Sequence, residues 1–304
     1  MFTPTLTRTL SVWSDATPEQ VQEAAWCQQS FHRWLRHWHF TNRETGGVET
    51  FGRCIEHGDE HPGALWPGQR TLMEHMNEHP WLFALKAGKL GFTELECAYD
   101  GWVTRFRHPN ARVHVFSRDA AAAEELLGYI RFGLSHLPEW MQLPIYEGRG
   151  ADTDVSLKYQ AGPDDVRTVV RYAAGPHVAI DQSATHSHVD ELARMLYTEL
   201  TWTAVESTVP DEGGTVHIVT RGAGAGNYSA TLWQKAMRGE SRLYPFFAAW
   251  DQRPDRDADW YKRQTGEHTE LGLQQFAPTT WEEAIGGPGT AAVIPLQWIE
   301  EAFR

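Results

Sequence analysis

The sequence has little cysteine and no long apolar run. Its three cysteines, Cys27, Cys54 and Cys97, are an odd number at unrelated spacings, which argues against a disulfide framework and is typical of a reducing cytoplasm. No apolar run approaches the roughly 18 residues that a membrane span requires. The N-terminal segment 1–13 lacks the basic start and the apolar core of a secretory signal. We therefore expect a cytoplasmic protein that makes no contact with a membrane.

Positive charge is also scarce, because 40 acidic residues oppose 27 lysines and arginines and give a net charge of −13. A protein that coats nucleic acid by itself is usually basic, so this balance argues against that class. It is compatible with a local basic patch, or with a ring of subunits that each contact DNA through a few residues. With 41% apolar residues over 304 positions, the chain is long enough for one large α/β domain or two small ones.

One stretch has the layout of a phosphate-binding loop. The apolar run 81–85 predicts a buried strand, the small residues 87–91 predict a turn, and Thr93 opens a predicted helix over 94–106. The amides of such a turn converge on one point, where the helix N-terminus adds partial positive charge. The predicted phosphate-binding residues are Lys86, Ala87, Gly88, Lys89, Leu90, Gly91, Phe92 and Thr93.

This loop departs from the standard pattern G-x-x-x-x-G-K-[ST]. Lys86 stands at the first glycine position, and Phe92 stands where the lysine is usual. One interpretation is an ordinary strand-turn-helix with a chance glycine and threonine. In the other, Lys86 or Lys89 reaches the β- and γ-phosphates from the opposite side as a catalytic cation, and Thr93 binds Mg²⁺. The sequence does not decide between the two lysines.

Asp190 and Glu191 end a second predicted strand that begins near residue 183, which is the layout of a Walker B motif. Asp190 would then hold Mg²⁺, and Glu191 would act as general base towards water. A charge pair at a helix N-terminus is the plainer alternative. The strand is unusually polar, with His186 and His188 where valine or isoleucine is typical. Asp181 is a rival acidic position without an adjacent glutamate.

Further elements alternate between strand and helix, which implies a parallel sheet. We predict a strand at 112–117, a helix at 118–136, a hairpin from strands at 154–158 and 167–172, and a strand at 215–220 before the glycine-rich loop 221–228. The glycine spacing of that loop does not fit a dinucleotide site. The C-terminal quarter predicts a strand over 244–250, an exposed acidic loop over 254–260 and a short capped helix within 276–285.

The N-terminal part predicts a long helix from Thr17 to about residue 38, because Thr17, Pro18 and Gln20 form a capping signal. Its aromatic residues are expected to form a packing face: Trp26, Phe31, Trp34 and Trp38. Two histidine groups are weak zinc candidates. The first, Cys54 with His57 and His61, has irregular spacing, and the second, H-x-x-E-H over 75–79, stands at a helix end before a proline.

Together these motifs resemble the ATPase portion of the large terminase subunits of tailed bacteriophages. Their variant Walker A motif often reads K-x-[RA]-[QR]-x-G-x-[ST], and the resemblance extends over about residues 27–285. It implies an α/β P-loop NTPase fold of the RecA/ASCE type, with a mainly parallel sheet, and the cofactors ATP and Mg²⁺. It also implies that Gln69 reads adenine, that Thr220 senses the γ-phosphate, and that the loop to Asn227 couples hydrolysis to DNA movement.

The same resemblance implies an ATP-driven motor that forms a homo-oligomeric ring and pumps double-stranded DNA into a procapsid in the host cytoplasm. Its partners would be the portal protein, the small terminase subunit, and a nuclease on a separate domain or subunit. We expect a helical or lid segment at 1–64, an ATPase core at 65–290 and a linker at 291–304, where the segment 293–298 resembles the lead into a nuclease domain.

Three departures from the terminase pattern leave rivals open. Gly88 stands where many relatives carry arginine, no arginine precedes Asp190 closely, and Ile285 replaces a usual phenylalanine. No arginine finger can be named from the sequence. A helicase-like translocase would use the same motifs, but about 80 residues after Thr220 leave little room for a second lobe. Phe92 motivates the other rival, a degenerate P-loop scaffold that binds ATP without turnover.

Overall fold

A seven-stranded sheet forms the centre of the protein, whose computed structural model describes residues 16–51, 65–175, 178 and 183–286. The strands are β3 (Trp81–Lys86), β4 (Arg112–Ser117), β5 (Ser156–Gly162), β6 (Asp165–Ala173), β7 (His186–Asp190), β8 (Thr215–Thr220) and β9 (Tyr244–Ala248). Their order is β5-β6-β4-β7-β8-β3-β9, and every pair is parallel except β5 with β6. A separate hairpin joins β1 (His39–Thr41) to β2 (Val48–Thr50).

Helices cover both faces of the sheet. They are α1 (Pro18–Gln29), α2 (Phe31–Trp34), α3 (Pro67–Glu78), α4 (Phe92–Trp102), α5 (Ala120–Ser135), α6 (Thr198–Thr208), α7 (Tyr228–Met237), α8 (Ala258–Glu267), α9 (Glu270–Phe276) and α10 (Trp281–Gly286). In β3, Leu82 and Ala84 face the core formed with α1 to α5, whereas Phe83 and Leu85 face the core formed with α6, α7 and α10. Burial on both faces explains why β3 is a continuous apolar run.

The predicted α/β fold with a mainly parallel sheet is confirmed. The predicted strands at 81–85, 112–117, 215–220 and 244–250 correspond to β3, β4, β8 and β9. The predicted hairpin is the antiparallel pair of β5 and β6. None of the helices in the described part of the chain is long and apolar enough to cross a membrane.

The predicted N-terminal helix is wrong in its length. The capping box of Thr17 and Gln20 starts α1 as expected. The chain is then extended at Ser30, whose hydroxyl accepts a hydrogen bond from the Arg33 amide at 3.2 Å and begins α2. Of the four aromatic residues assigned to the packing face, three are buried, but Trp26 is 47% exposed. The local capping signal at Ser30 therefore divides what periodicity alone predicts as one helix.

Trp38 fixes the N-terminal segment against the helix of the phosphate loop. Its ring is almost fully buried and lies over two glycines, Gly101 in α4 and Gly133 in α5. A Cβ atom added at these glycines would lie 2.3 Å and 2.2 Å from the ring. The absence of side chains at these two positions lets the indole pack between the helices.

Two further predictions need correction. Helix α4 begins at Phe92, two residues earlier than predicted, and continues beyond Trp102 as a π-helical turn, Val103–Arg107. The segment 254–260 is only partly an exposed acidic loop, because Arg256 is buried and α8 begins at Ala258. Several candidates lie outside the described residues, namely Cys54, His57, His61, Asp181 and the segment 293–298.

Candidate nucleotide-binding site

The carboxyl ends of β3, β7 and β8 meet at one edge of the sheet and border a cavity of about 710 Å³. This volume lies within the range of roughly 300–1,000 Å³ that is usual for small-molecule sites, and its place at the strand ends is the usual one in open parallel sheets. The cavity is lined by residues from these strand ends and from the first turn of α4, including Lys86, Thr93, Asp190, Glu191 and Arg221.

The loop between β3 and α4 is shaped by two residues with left-handed backbone conformation, Lys89 (φ 57°) and Gly91 (φ 68°). A Cβ atom at Gly91 would lie 2.4 Å from Gln69 Nε2, so both the dihedral angle and the space favour glycine there. Since α4 begins at Phe92, the amides of its first turn have no partner within the helix. Loop and helix start together form a site suited to an anion.

The two candidate lysines differ in their surroundings. The Lys86 side chain is 6% exposed, and its Nζ lies 3.8 Å from Glu191 Oε1 in the cavity. Lys89 is exposed, and its carbonyl oxygen accepts hydrogen bonds from Arg253 Nη1 at 3.2 Å and Arg256 Nη2 at 3.5 Å. Of the two cations, Lys86 is the one held beside the acidic pair.

Phe92 occupies the usual lysine position but turns its side chain into the core. The ring is 1% exposed and stacks on Phe246 with a centroid distance of 6.2 Å. Phe92 therefore offers an anion its backbone amide at the start of α4, while a positive side chain comes from Lys86 at the other end of the loop.

The structure brings Thr93 and Asp190 together across 97 positions of sequence. Thr93 Oγ1 donates a hydrogen bond of 3.0 Å to Asp190 Oδ1. Hydroxyl and carboxylate oxygens are the donors that Mg²⁺ prefers, and two adjacent ligands on an octahedron with bonds of about 2.1 Å are about 3.0 Å apart. These two residues therefore fit the Mg²⁺ site that the sequence predicts.

Glu191 lies next to Asp190 in a left-handed conformation (φ 55°), which is uncommon for a residue with a side chain. Its amide donates to the Val219 carbonyl at 2.8 Å, so this turn is tied to β8. The carboxylate faces three cations: Arg221 Nε at 3.1 Å, Arg194 Nε at 3.4 Å and Lys86 at 3.8 Å. A strained backbone at a buried acidic residue is common at functional sites.

The two carboxyl groups have opposite pKa shifts. Burial, assisted by the adjacent Glu191, raises the pKa of Asp190 to about 6. Burial alone would also raise the pKa of Glu191, but Lys86, Arg221 and Arg194 outweigh it and hold that pKa below its ordinary value. Glu191 is thus kept ionised and able to accept a proton.

Thr220 and Asn227, the predicted coupling residues, both bind Ala193, two positions after Glu191. The Thr220 hydroxyl accepts from the Ala193 amide at 3.1 Å, and Asn227 Nδ2 donates to the Ala193 carbonyl at 2.6 Å. Asn227 also caps α7, because its Oδ1 accepts from the Ser229 amide at 2.8 Å. A continuous set of hydrogen bonds therefore connects the turn after Glu191 with the start of α7.

Gln69 lies against the phosphate loop. It is 5% exposed, and its Nε2 donates to the carbonyls of Leu90 at 3.2 Å and Gly91 at 3.4 Å, while its Oε1 accepts from the Trp66 amide at 3.1 Å. Adenine recognition by Gln69 stays a prediction. It would require this amide to exchange its carbonyl partners for the edge of the base.

Sequence reasoning missed Arg221 and Phe276. Arg221 directly follows β8, so the rule that strand ends converge could have identified it. The Phe276 carbonyl accepts a hydrogen bond of 2.7 Å from the Gly88 amide, and a Cβ at Gly88 would lie 2.6 Å from the Phe276 ring. No local signal predicts that contact, because 188 positions of sequence separate the two residues. The C-terminal segment thus lies on the phosphate loop where relatives carry arginine.

No protein-family model matches the sequence, and a search of curated proteins finds no match. Solved structures with the same fold are large terminases. The ATPase domain of the Thermus phage P74-26 large terminase aligns with a TM-score of 0.55 at 16% identity, over 69% of this chain and 91% of that one. The large terminase of a thermophilic bacteriophage in complex with ADP gives 0.54 at 10%, over 67% and 49%.

The bacteriophage HK97 large terminase aligns with a TM-score of 0.53 at 11% identity, over 84% of this chain and 50% of that one. The match thus spans about half the length of this protein and of the ADP-bound terminase. At such low identities the likeness establishes the fold, which is that of a large terminase ATPase domain. The P-loop fold class expected from the motifs is therefore confirmed.

Proposed function

We propose that this chain is an ATP-hydrolysing motor subunit that drives double-stranded DNA into a viral procapsid. The observation that carries the proposal is the contact between Thr93 and Asp190, with Glu191 beside it, at the strand ends of a terminase-type fold. These are the residues that a P-loop ATPase needs for its metal and its base. One structural neighbour is a terminase in complex with ADP, which supports a nucleotide in this cavity.

Each residue of the site then has a defined part. The loop amides over 87–92 and Lys86 bind the β- and γ-phosphates, with Lys89 at the exposed rim. Thr93 and Asp190 hold Mg²⁺, which neutralises phosphate charge when bound. Glu191 orients the attacking water and accepts its proton. Gln69 contacts adenine.

Binding of the phosphates would change the partners of Glu191. In the structure its carboxylate is held by Lys86 and Arg221. The γ-phosphate competes for the same two cations, so its arrival frees the carboxylate to act as base. Arg221 follows Thr220 on the same strand and would stabilise charge that develops on the transferred phosphoryl group. Such a mechanism makes hydrolysis depend on correct occupancy of the loop.

The hydrogen bonds to Ala193 would transmit the state of the site. Thr220 and Asn227 both hold the turn after Glu191, and Asn227 caps α7. A shift of Glu191 on hydrolysis would therefore move the start of α7. We assign to this connection the coupling of hydrolysis to DNA movement.

The proposed partners are double-stranded DNA, the portal protein of the procapsid, the small terminase subunit and a nuclease domain or subunit. A homo-oligomeric ring fits the net charge of −13, because each subunit needs to contact DNA through only a few residues. The assembly would act in the host cytoplasm, at the portal.

The experiment is a measurement of ATP turnover with and without linear double-stranded DNA and procapsids of the parent phage. We expect stimulation by the complete system, and an Asn227→Ala variant that hydrolyses ATP without packaging DNA. An Asn110→Ala variant, altered at a loop remote from the cavity lining, is the matched control and should package normally. Turnover that ignores DNA and procapsids under all assembly conditions would contradict the motor function.

A further inference from the structure

Three histidines and two carboxylates form a buried cluster that the proposed nucleotide site does not use. Glu96 and Asp100 stand one turn apart on α4, His186 and His188 alternate on β7, and His217 lies on the adjacent β8. All five side chains are fully buried. Apolar side chains would satisfy this interface at no cost in desolvation, so the concentration of polar groups requires a reason.

The donor atoms of the cluster are within ligand distance of one another. His186 Nε2 lies 3.3 Å from Glu96 Oε1 and 3.1 Å from Asp100 Oδ1, and His217 Nδ1 lies 2.9 Å from Glu96 Oε1. Tetrahedral ligands with bonds of about 2.0–2.1 Å are separated by roughly 3.3 Å. The set of Glu96, His186 and His217 brings one ligand atom from each residue within 4.8 Å of the others.

Several of these buried atoms lack hydrogen-bond partners among the described residues. They are Glu96 Oε2, Asp100 Oδ1, His186 Nε2, His188 Nε2 and His217 Nε2. Buried polar atoms are nearly always paired, because each unpaired one costs free energy. Five in one cluster, on three elements, indicate that the interior holds a group that they bind.

The hydrogen bonds that do exist fix the orientation of the rings. His186 Nδ1 lies 2.8 Å from Thr215 Oγ1, which leaves its Nε2 directed at the carboxylates. His188 Nδ1 lies 2.8 Å from Asp100 Oδ2. A second residue that orients a histidine is the usual arrangement around a bound metal.

The charges of the cluster also suit a divalent ion. Without a metal, the two carboxylates are balanced by protons on histidine: burial disfavours the charged ring, yet Asp100 and Glu96 raise the pKa of His188 to about 9 and raise that of His186. A divalent cation that displaces two such protons leaves the net charge of the interior unchanged. Metal binding is therefore electrically neutral here and carries no additional cost of buried charge.

We propose that Glu96, His186 and His217, with Asp100 adjacent, bind a first-row transition metal ion of the Zn²⁺ class. Two imidazoles with carboxylate oxygen are ligands for Zn²⁺ or Co²⁺, whereas Mg²⁺ and Ca²⁺ prefer oxygen alone. This centre is distinct from the Mg²⁺ site at Thr93 and Asp190. It would cross-link α4, which begins at the phosphate loop, to the strands that end in Asp190 and Thr220.

The test uses the full chain purified without a polyhistidine tag, followed by metal analysis and titration with Co²⁺. We expect about one zinc ion per chain and the visible absorption of tetrahedral Co²⁺. The variants His217→Asn and Glu96→Gln should weaken Co²⁺ binding by more than about 100-fold, while Mg²⁺-dependent nucleotide binding is retained at a higher nucleotide concentration.

Matched variants separate this site from the others. His114 on β4 is as fully buried as His217 and lacks hydrogen-bond partners among the described residues, but its ring neighbours are Phe116 and Tyr172. His114→Asn should therefore lose stability without losing metal. The variants Cys54→Ser and His79→Ala remove the rival histidine groups and should keep the full metal content.

A stability measurement covers the case in which the cluster variants do not fold. Chelation of the wild-type protein should lower its Tm by several degrees, and Zn²⁺ should restore it. The proposal is overturned if the wild-type chain contains no transition metal and neither Zn²⁺ nor Co²⁺ changes its Tm or spectrum. It is equally overturned if Cys54→Ser or His79→Ala removes the metal.

Discussion

The Thr93 hydroxyl donates a 3.0 Å hydrogen bond to the Asp190 carboxylate and so joins the start of α4 to the end of β7. If both oxygens bind Mg²⁺, the hydroxyl is essential and the methyl group is not. Thr93→Ser should keep most activity, whereas Thr93→Ala should raise the Mg²⁺ concentration for half-maximal hydrolysis by about 10–100-fold. A Mg²⁺ titration of ATP turnover checks this, and equal behaviour of the two variants would remove Thr93 from the metal site.

The two lysines of the loop should be unequal. Lys86 is buried beside Glu191, whereas Lys89 is exposed. Lys86→Ala should lower kcat by about 10²–10³-fold, which is typical for loss of one charge-stabilising donor, and Lys89→Ala should change it by less than about 10-fold. Steady-state hydrolysis of the two single variants decides between them. A larger loss in Lys89→Ala would assign the phosphate contact to Lys89.

Two glycines of α5 should respond to alanine with opposite sign. A methyl group at Gly133 would lie 2.2 Å from the Trp38 ring, so Gly133→Ala should destabilise the protein by about 1–3 kcal/mol through overpacking. Gly128 has nothing within 4 Å of such a methyl group, so Gly128→Ala should stabilise it by about 0.5–1 kcal/mol. Urea unfolding of both variants provides the comparison. A stabilising Gly133→Ala would show that Trp38 does not lock these helices.

Glu23 should make stability depend on pH. The hydrogen bond from Arg33, supported by His37, lowers the pKa of Glu23 from 4.5 to about 2 in the folded chain. The unfolded chain binds more protons between these values, so this contribution is complete above pH 4.5 and is lost as the pH falls towards 2.

Glu23→Gln should therefore lower the free energy of unfolding at pH 7 by about 1–2 kcal/mol, a value reduced for partial exposure, and the deficit should shrink below pH 4.5. Glu240 pairs with Arg238 at the fully exposed surface, and Glu240→Gln is the control that should change nothing measurable. Urea unfolding at several pH values tests both variants. A deficit that is independent of pH would show that Glu23 acts through packing.

The sequence allowed prediction of the features that depend on local order and on sheet topology. The strand before the loop, the acidic pair after β7 and the loop after β8 meet because parallel strands end at one edge, so Thr93 and Asp190 lie together as that rule requires. The break at Ser30 escaped prediction because one capping side chain outweighed helical periodicity.

Contacts between distant parts of the chain could not be predicted. The Phe276 carbonyl on Gly88 joins two segments whose sequences contain no shared pattern. His186 and His188 made β7 look too polar for a core strand, and the reason lies in Glu96 and Asp100 on another element. Polar residues in a central strand are informative only when their partners are known.

The most direct test of the account compares Mg²⁺-dependent ATP hydrolysis by the wild type and by Glu191→Gln at high protein concentration. Glutamine keeps the shape of the side chain but cannot accept the proton, so turnover should fall by about 10²–10⁴-fold while ATP still binds. That result would assign Glu191 as the general base of a working ATPase. Turnover that is unchanged by Glu191→Gln, or a wild type that binds ATP without any turnover in the presence of DNA and procapsids, would contradict it.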